Sequence, residues 1–231
     1  MAKSLTQDPT HTVPLIEQQN LLDSYVRDHS DAEPEYLYRL YRDTNVRLLH
    51  GRMASGHLQG RMLKMLVRMV NPKNILEVGT FSGYSALCLA EGLGEEGHLY
   101  TFEINDEQED FTRPWLENSD VADKITFIIG DALKEVPRLA SEQGIIFDLA
   151  FIDGDKRTYV DTYNMVLPLL SQGGFIIADN TLWDGHVIDA DYDRDRQTIG
   201  IREFNDLVAS DDRVEKVIIP LRDGLTLIRK K

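Results

Sequence analysis

A doubly wound α/β fold around a mostly parallel sheet is what this sequence predicts, and three patterns carry the prediction. From about residue 72 onward, short apolar runs alternate with windows of helical length and period. The apolar runs are continuous rather than alternating, as parallel strands covered on both faces are. The last two runs differ: VEKVIIP (214–220) and LTLIRK (225–230) flank Arg222-Asp223-Gly224 and read as a hairpin that closes the sheet with antiparallel strands.

The chain opens with helices. Pro14 to Asp28 carries Leu15, Leu21, Leu22 and Val26, and Pro34 to Leu49 carries Tyr36, Leu37, Leu40, Tyr41 and Leu48, at the three- and four-residue spacing of amphipathic helices. A third helix runs from about Gly56 to Val70 and is expected to turn Leu58, Met62, Leu66, Met69 and Val70 into the core. After Asn71-Pro72 come the strand-like runs NILEVG (74–79), HLYTFE (98–103), KITFII (124–129), FDLAFID (147–153) and GGFIIAD (173–179). Helical windows near 83–93, 106–118, 132–142 and 156–170 lie between them, and such short crossovers are right-handed. Ile199 to Ala209 reads as the last helix. No repeat, low-complexity tract or linker divides the chain, so 1–231 is expected to form a single domain, with N-terminal helices over 1–70 and the core over 71–231.

Composition excludes several functions. A net charge of −14 would repel nucleic acid and polyanionic substrates, while it suits a cationic cofactor or a metal ion. No apolar run approaches the roughly 20 residues of a membrane helix. Met1 to Pro14 lacks the basic-then-apolar pattern of a secretory signal, and the single cysteine, Cys88, can form no intrachain disulfide. A cytoplasmic protein is the expectation, with Cys88 buried in the apolar run SALCLA.

In a doubly wound sheet, ligands bind at the carboxyl ends of the strands. The first strand ends Glu77-Val78-Gly79-Thr80-Phe81-Ser82-Gly83-Tyr84-Ser85, where Gly79 and Gly83 permit a sharp turn and close approach of a ligand. The spacing is neither G-x-G-x-x-G nor a phosphate-binding P-loop. Glu77 lies inside an apolar run, so it either is satisfied by backbone donors or faces a polar or cationic ligand. Glu103 ends the second strand, placed to accept both hydroxyls of a ribose, a device shared by dehydrogenases and methyltransferases. Asp131, after the third strand, fits either a helix cap or an adenine contact. The fourth and fifth strands end in Asp153 and in Asp179-Asn180. Adjacent parallel strands would bring these three oxygen donors together, a set suited to Mg²⁺. His57, His98 and His186 read as surface or packing residues.

Together these segments resemble the cation-dependent O-methyltransferase family that includes catechol and caffeoyl-CoA O-methyltransferases. The likeness lies in MASGHLQG (53–60), ILEVGTFSGYSALCLA (75–90), YTFE (100–103), GDAL (130–133), FDLAFIDGDK (147–156), GGFIIADNTLWDGHV (173–187) and DGLTLIRK (223–230), and runs from about residue 35 to the end. The resemblance implies a class I, Rossmann-like S-adenosylmethionine-dependent methyltransferase. It places Glu77, Gly79, Thr80 and Ser85 at the methionine end of the donor, Met53 and Ser55 over it, Glu103 on the ribose, and Asp131 and Ala132 beside the adenine. It gives Asp153, Asp179 and Asn180 to a divalent metal, Mg²⁺ first with Mn²⁺ or Ca²⁺ as alternatives. Lys156 becomes the general base with Asp155 helping to orient it, Trp183 begins the loop beside the acceptor, and the protein is expected to be a homodimer.

The chemistry implied is methylation of one hydroxyl of a small catechol-like aromatic. Lys156, beside a cation in a partly dry site, is expected to have a lowered pKa. Residues 184–200 hold five aspartates and two arginines, a poor surface for coenzyme A phosphates, so a free catechol is preferred to a thioester. A nicotinamide-dependent oxidoreductase is the alternative. It shares the glycine loop and Glu103 but leaves Asp153, Asp179 and Asn180 without a purpose. An RNA methyltransferase is disfavoured by the charge, and an inactive binding module by the intact metal and lysine positions.

Overall fold

The computed structural model describes residues 15–231, with side chains from Asn20 onward. The reading of Met1 to Pro14, and the place of Leu15 on its helix, lie outside that range. Helices α1 (Leu15–Asp28), α2 (Glu35–Arg47) and α3 (His57–Val70) precede the sheet. Five strands run parallel: β1 (Asn74–Val78), β2 (His98–Glu103), β3 (Ile125–Ile129), β4 (Phe147–Ile152) and β5 (Leu170–Ala178). The hairpin β6 (Val214–Ile219) and β7 (Leu225–Lys230) adds two antiparallel strands, giving the order β3-β2-β1-β4-β5-β7-β6. Helices α4 (Tyr84–Gly92), α5 (Glu109–Glu117), α6 (Ala132–Gln143), α7 (Tyr159–Leu169) and α8 (Arg196–Ser210) make the connections.

The continuous apolar runs are explained by two cores, one on each face. Ile75, Leu149, Phe151 and Ile177 face the core that includes Leu63, Val67 and Leu87. Their neighbours Leu76, Ala150, Ile152 and Ile176 face the core that includes Val136, Tyr163 and Phe204. Successive strand residues point to opposite faces, so both must be apolar.

The chain leaves β1 for β2 and β3 on one side, then crosses to β4 on the other. The switch point between β1 and β4 opens a cleft. Register sets the strand ends level there: Val78 lies opposite Phe102 and Ile152, and Ile152 opposite Ala178. The residues that follow, among them Gly79, Glu103, Asp153 and Asp179, therefore emerge along one edge.

Two packing expectations are corrected. In α3 the buried stripe is Gln59, Gly60, Leu63 and Val67, while Leu58, Met62 and Leu66 are half-buried and Met69 is 75% exposed. Close approach to α4 decides this. A Cβ on Gly60 would stand 2.7 Å from Cys88 Sγ, and one on Gly92 would stand 2.6 Å from Val67 Cβ. In α1, Leu21 and Leu22 are exposed rather than inward. Boundaries also move. β5 starts at Leu170, paired with Phe147 ahead of a register shift. α8 starts at Arg196 because Asp195 caps the Thr198 N–H at 2.8 Å.

The N-terminal helices are tied down by buried charge. Glu91 pairs with Arg61 at 2.9 Å and Lys64 at 3.1 Å and accepts the Tyr36 hydroxyl. Cys88 is buried, and burial pushes its thiol up to about 12, so it is inert. Among the described residues no helix is long and apolar enough to cross a membrane.

Candidate active site

One side of the cleft begins at Gly79. Its φ is +102°, and a Cβ there would meet the Asp153 carbonyl oxygen at 2.4 Å, so only glycine lets β1 and β4 end this close. Met53, Ser55, Gly79, Thr80, Ser85 and Asp153 line one cleft, joined by Ala54, Phe81, Ser82 and Tyr84, which sequence reasoning had not assigned to it. Glu77 is fully buried beneath. Burial pushes its carboxyl up to about 8, opposed by hydrogen bonds from Ser85 and Thr101. Thr101 donates to Glu77 Oε2 at 2.5 Å and stands 2.6 Å from Thr80 Oγ1. Glu103, 8% exposed, accepts the Phe81 N–H at 2.8 Å and the Asn105 N–H at 2.9 Å, which fixes its carboxylate at the end of β2. The Gly130 N–H donates to the Glu103 carbonyl at 2.8 Å and brings the end of β3 alongside. Asp131 caps α6 through the Leu133 N–H at 3.1 Å and pairs with Lys134 at 3.0 Å; Ala132 is the first, buried residue of that helix.

The other side lies at the ends of β4 and β5. Asp153 Oδ1 accepts the Lys156 ammonium at 2.8 Å. Lys156 is 6% exposed, also donates to Tyr159 Oη at 2.9 Å, and stands 5.9 Å from the Trp183 ring centroid. Tyr159 in turn donates to the Asp179 carbonyl at 3.0 Å. Asp179 is 4% exposed, and its carboxylate accepts the Asn180 N–H at 2.7 Å and the Gln59 side-chain amide at 2.6 Å. Burial, and then the neighbouring Asp153 charge, push Asp179 up to about 6. Asn180 has a φ of +55°, and its amide reaches Asp223 at 3.4 Å.

Burial lowers the Lys156 pKa, while the Asp153 carboxylate and the Tyr159 hydroxyl together more than offset burial and hold the ammonium above its ordinary range. One expectation about Lys156 is corrected. Asp155 is not its orienting partner. It caps the turn at the Arg157 N–H at 3.0 Å and binds the Arg157 guanidinium.

Among the described residues, no group of three or more His, Cys, Asp or Glu side chains gathers as a metal cluster. The set read from the sequence has two carboxylates and an amide. It fits a hard divalent ion in donor chemistry: the Asp153 charge stands near enough to oppose the ionisation of Asp179, which a cation would relieve. The histidines stand apart, with His57 on the Asp31 carbonyl, His98 on Thr126 and His186 stacked on Tyr192.

A family model described as O-methyltransferase matches residues 27–231. The chain belongs to that family. It is 34% identical over 226 residues to a caffeoyl-CoA O-methyltransferase of Eucalyptus gunnii, covering 92% of this chain and 88% of the relative. The O-methyltransferase TomG of Streptomyces achromogenes, solved in complex with SAM, superposes with a TM-score of 0.86 at 28% identity, covering 95% of this chain and all of that one. A Bacillus cereus O-methyltransferase solved with SAH gives 0.84 at 29% identity, over 94% and 100%. The chain is thus an S-adenosylmethionine-dependent O-methyltransferase, and nothing favours the nicotinamide alternative.

Around these residues stand others that the sequence did not mark. Gln59 sits within MASGHLQG and Asp223 within DGLTLIRK, but neither motif says what its side chain meets. Tyr159 follows Lys156 by three residues, a spacing that could have flagged it. Asp223 takes the Leu182 N–H on its carbonyl at 2.7 Å and the Asp184 N–H on its carboxylate at 3.3 Å, so it shapes the loop that carries Trp183. Arg202 binds the carbonyls of His186, Val187 and Asp189 and the Asp193 carboxylate, which holds the acidic loop in place.

Proposed function

We propose that this methyltransferase moves the methyl group of S-adenosylmethionine to one hydroxyl of a small vicinal dihydroxy aromatic, with a divalent ion at the acceptor side. The observation that carries the reading is that Asp153, which lines the cleft at Gly79, holds Lys156 and stands close enough to Asp179 to raise its pKa. Glu77, Gly79, Thr80 and Ser85 would hold the methionine end of the donor, with Met53 and Ser55 above it. Glu103 would take the ribose hydroxyls, and Asp131 and Ala132 the adenine. Asp153, Asp179 and Asn180 would hold the ion, Mg²⁺ before Mn²⁺ or Ca²⁺. It would supply a Lewis acid that lowers the pKa of a bound hydroxyl.

Lys156 acts as base only when Asp153 is shared. Paired with Asp153 alone, its ammonium keeps its proton. With that carboxylate engaged elsewhere, burial dominates, and Nζ can take the proton of the reacting hydroxyl. The Trp183 ring next to Lys156 would flank the aromatic acceptor. Alignment of two reactants between Gly79 and Trp183 would supply much of the acceleration.

A free catechol remains preferred to a coenzyme A thioester. Arg202, which reaches this loop from α8, is spent on the loop's own carbonyls and on Asp193. A homodimer in the cytoplasm, binding neither nucleic acid nor membrane, completes the reading. The test is methyl transfer from labelled donor to a panel of free catechols and their thioesters, with Mg²⁺ and with EDTA. Transfer to free catechols that stops in EDTA and returns with Mg²⁺ supports the proposal; full activity after exhaustive metal removal overturns it.

A further inference from the structure

Arg222 lies in the turn between β6 and β7 with a φ of +50°, a left-handed conformation that glycine adopts freely and a bulky residue does not. A residue held against that cost directs attention to its side chain. Arg222 Nη1 donates to Gln59 Oε1 at 2.9 Å and to the Ala54 carbonyl at 3.2 Å. Gln59 is 1% exposed, and its Nε2 donates to Asp179 Oδ2 at 2.6 Å.

A guanidinium offers only donors, and a carboxylate only acceptors. The amide between them satisfies both in one orientation, oxygen toward Arg222 and nitrogen toward Asp179. A flipped amide would set donor against donor and acceptor against acceptor. A neutral partner in place of Arg222 would leave the flip open. The second bond of Arg222 reaches Ala54, between Met53 and Ser55 in the segment that lines the donor cleft.

We propose that Arg222 is a positioning residue for methyl transfer. It orients the Gln59 amide that holds Asp179, and through Ala54 it fixes the segment over the methyl donor, so that the two sides of the cleft are set together. The proposal rests on the reading of Asp179 as a metal ligand and of Met53 and Ser55 as the donor's cover.

Arg222→Gly separates this from a structural role, because it removes the guanidinium while relieving the backbone. The full-length variant should melt no lower than wild type. By calorimetry it should bind Mn²⁺ about tenfold more weakly, as loss of a group supporting a metal ligand does, and S-adenosylmethionine several-fold more weakly. Gln59→Leu should cause a similar loss of Mn²⁺ affinity, and the double variant little more than either alone, since both act through one chain of contacts. Arg222→Gly with wild-type affinity for both ligands overturns the proposal, as do fully additive losses of Mn²⁺ affinity in the double variant. A wild-type protein that binds no Mn²⁺ sinks the metal reading, and this proposal with it; wild-type protein that binds Mn²⁺ beside an Arg222→Gly variant of equal affinity sinks the proposal alone.

Discussion

At the ends of β1 and β2, Glu77 is held by Thr101 from the next strand and by Ser85 eight residues on, and Glu103 by the Phe81 and Asn105 N–H groups. At the ends of β4 and β5, Asp179 is held by Gln59, 120 residues earlier, and Asn180 meets Asp223 from the hairpin turn. The donor half is assembled from neighbouring strand ends and one loop. The acceptor half is assembled from segments at both ends of the chain. The donor half also carries its carboxylates on backbone and hydroxyl donors, whereas the acceptor half sets charge against charge.

That contrast can be broken most severely at the acceptor end. Asp179→Ala should lose about a thousandfold in turnover, because a lost ligand removes several kcal/mol of charge stabilisation in the transition state. Donor affinity, measured by calorimetry, should stay near wild type. A variant that loses donor binding in proportion to turnover would show that the two halves are one unit.

A smaller loss is expected at the base. Lys156→Ala should lose about a hundredfold in turnover, the lower end of the usual contribution of a general base. Its residual rate should climb with pH as the acceptor ionises without help. A wild-type rate with an unchanged pH profile would remove Lys156 from proton transfer.

The mildest effect belongs to the donor half. Glu77, with its pKa pushed up to about 8, is mostly protonated at neutral pH. The cationic donor favours the carboxylate form, so binding should release a proton and tighten as pH rises toward 8, by up to about tenfold per pH unit, then level off. Calorimetry in buffers of different ionisation enthalpy measures that proton. Glu77→Gln should flatten the dependence. Equal proton release by wild type and variant would place the titration elsewhere.

Much of this was legible in the residues. Five parallel strands are visible as continuous apolar runs because alternate residues serve two cores. The chemistry-bearing strand ends are visible because turn glycines and acidic residues interrupt those runs. Where the reading failed, packing had the decision. Helical period alone marked Met69 of α3 as core along with Met62 and Leu66, which do pack against it, but the helix turns toward the face where Gly60 admits Cys88 and Tyr84 and leaves Met69 exposed. The pairing of Lys156 with Asp153 and Tyr159 was not legible either, because a spacing of three residues does not say which side chain each turns toward.

The sequence by itself determined the alternation of strands and helices, the antiparallel hairpin, and the identity of Glu77, Glu103, Asp153, Asp179, Asn180 and Lys156 as residues at strand ends. Local period, turn chemistry and the cost of burying a charge are written in short stretches of chain. Only the tertiary structure decided which partners those groups have. Gln59 meets Asp179, and Arg222 meets Gln59 from 163 residues away, because helix packing and hairpin register bring them together. A hydrogen bond depends on distance and direction within a few tenths of an ångström. No spacing along the sequence encodes that.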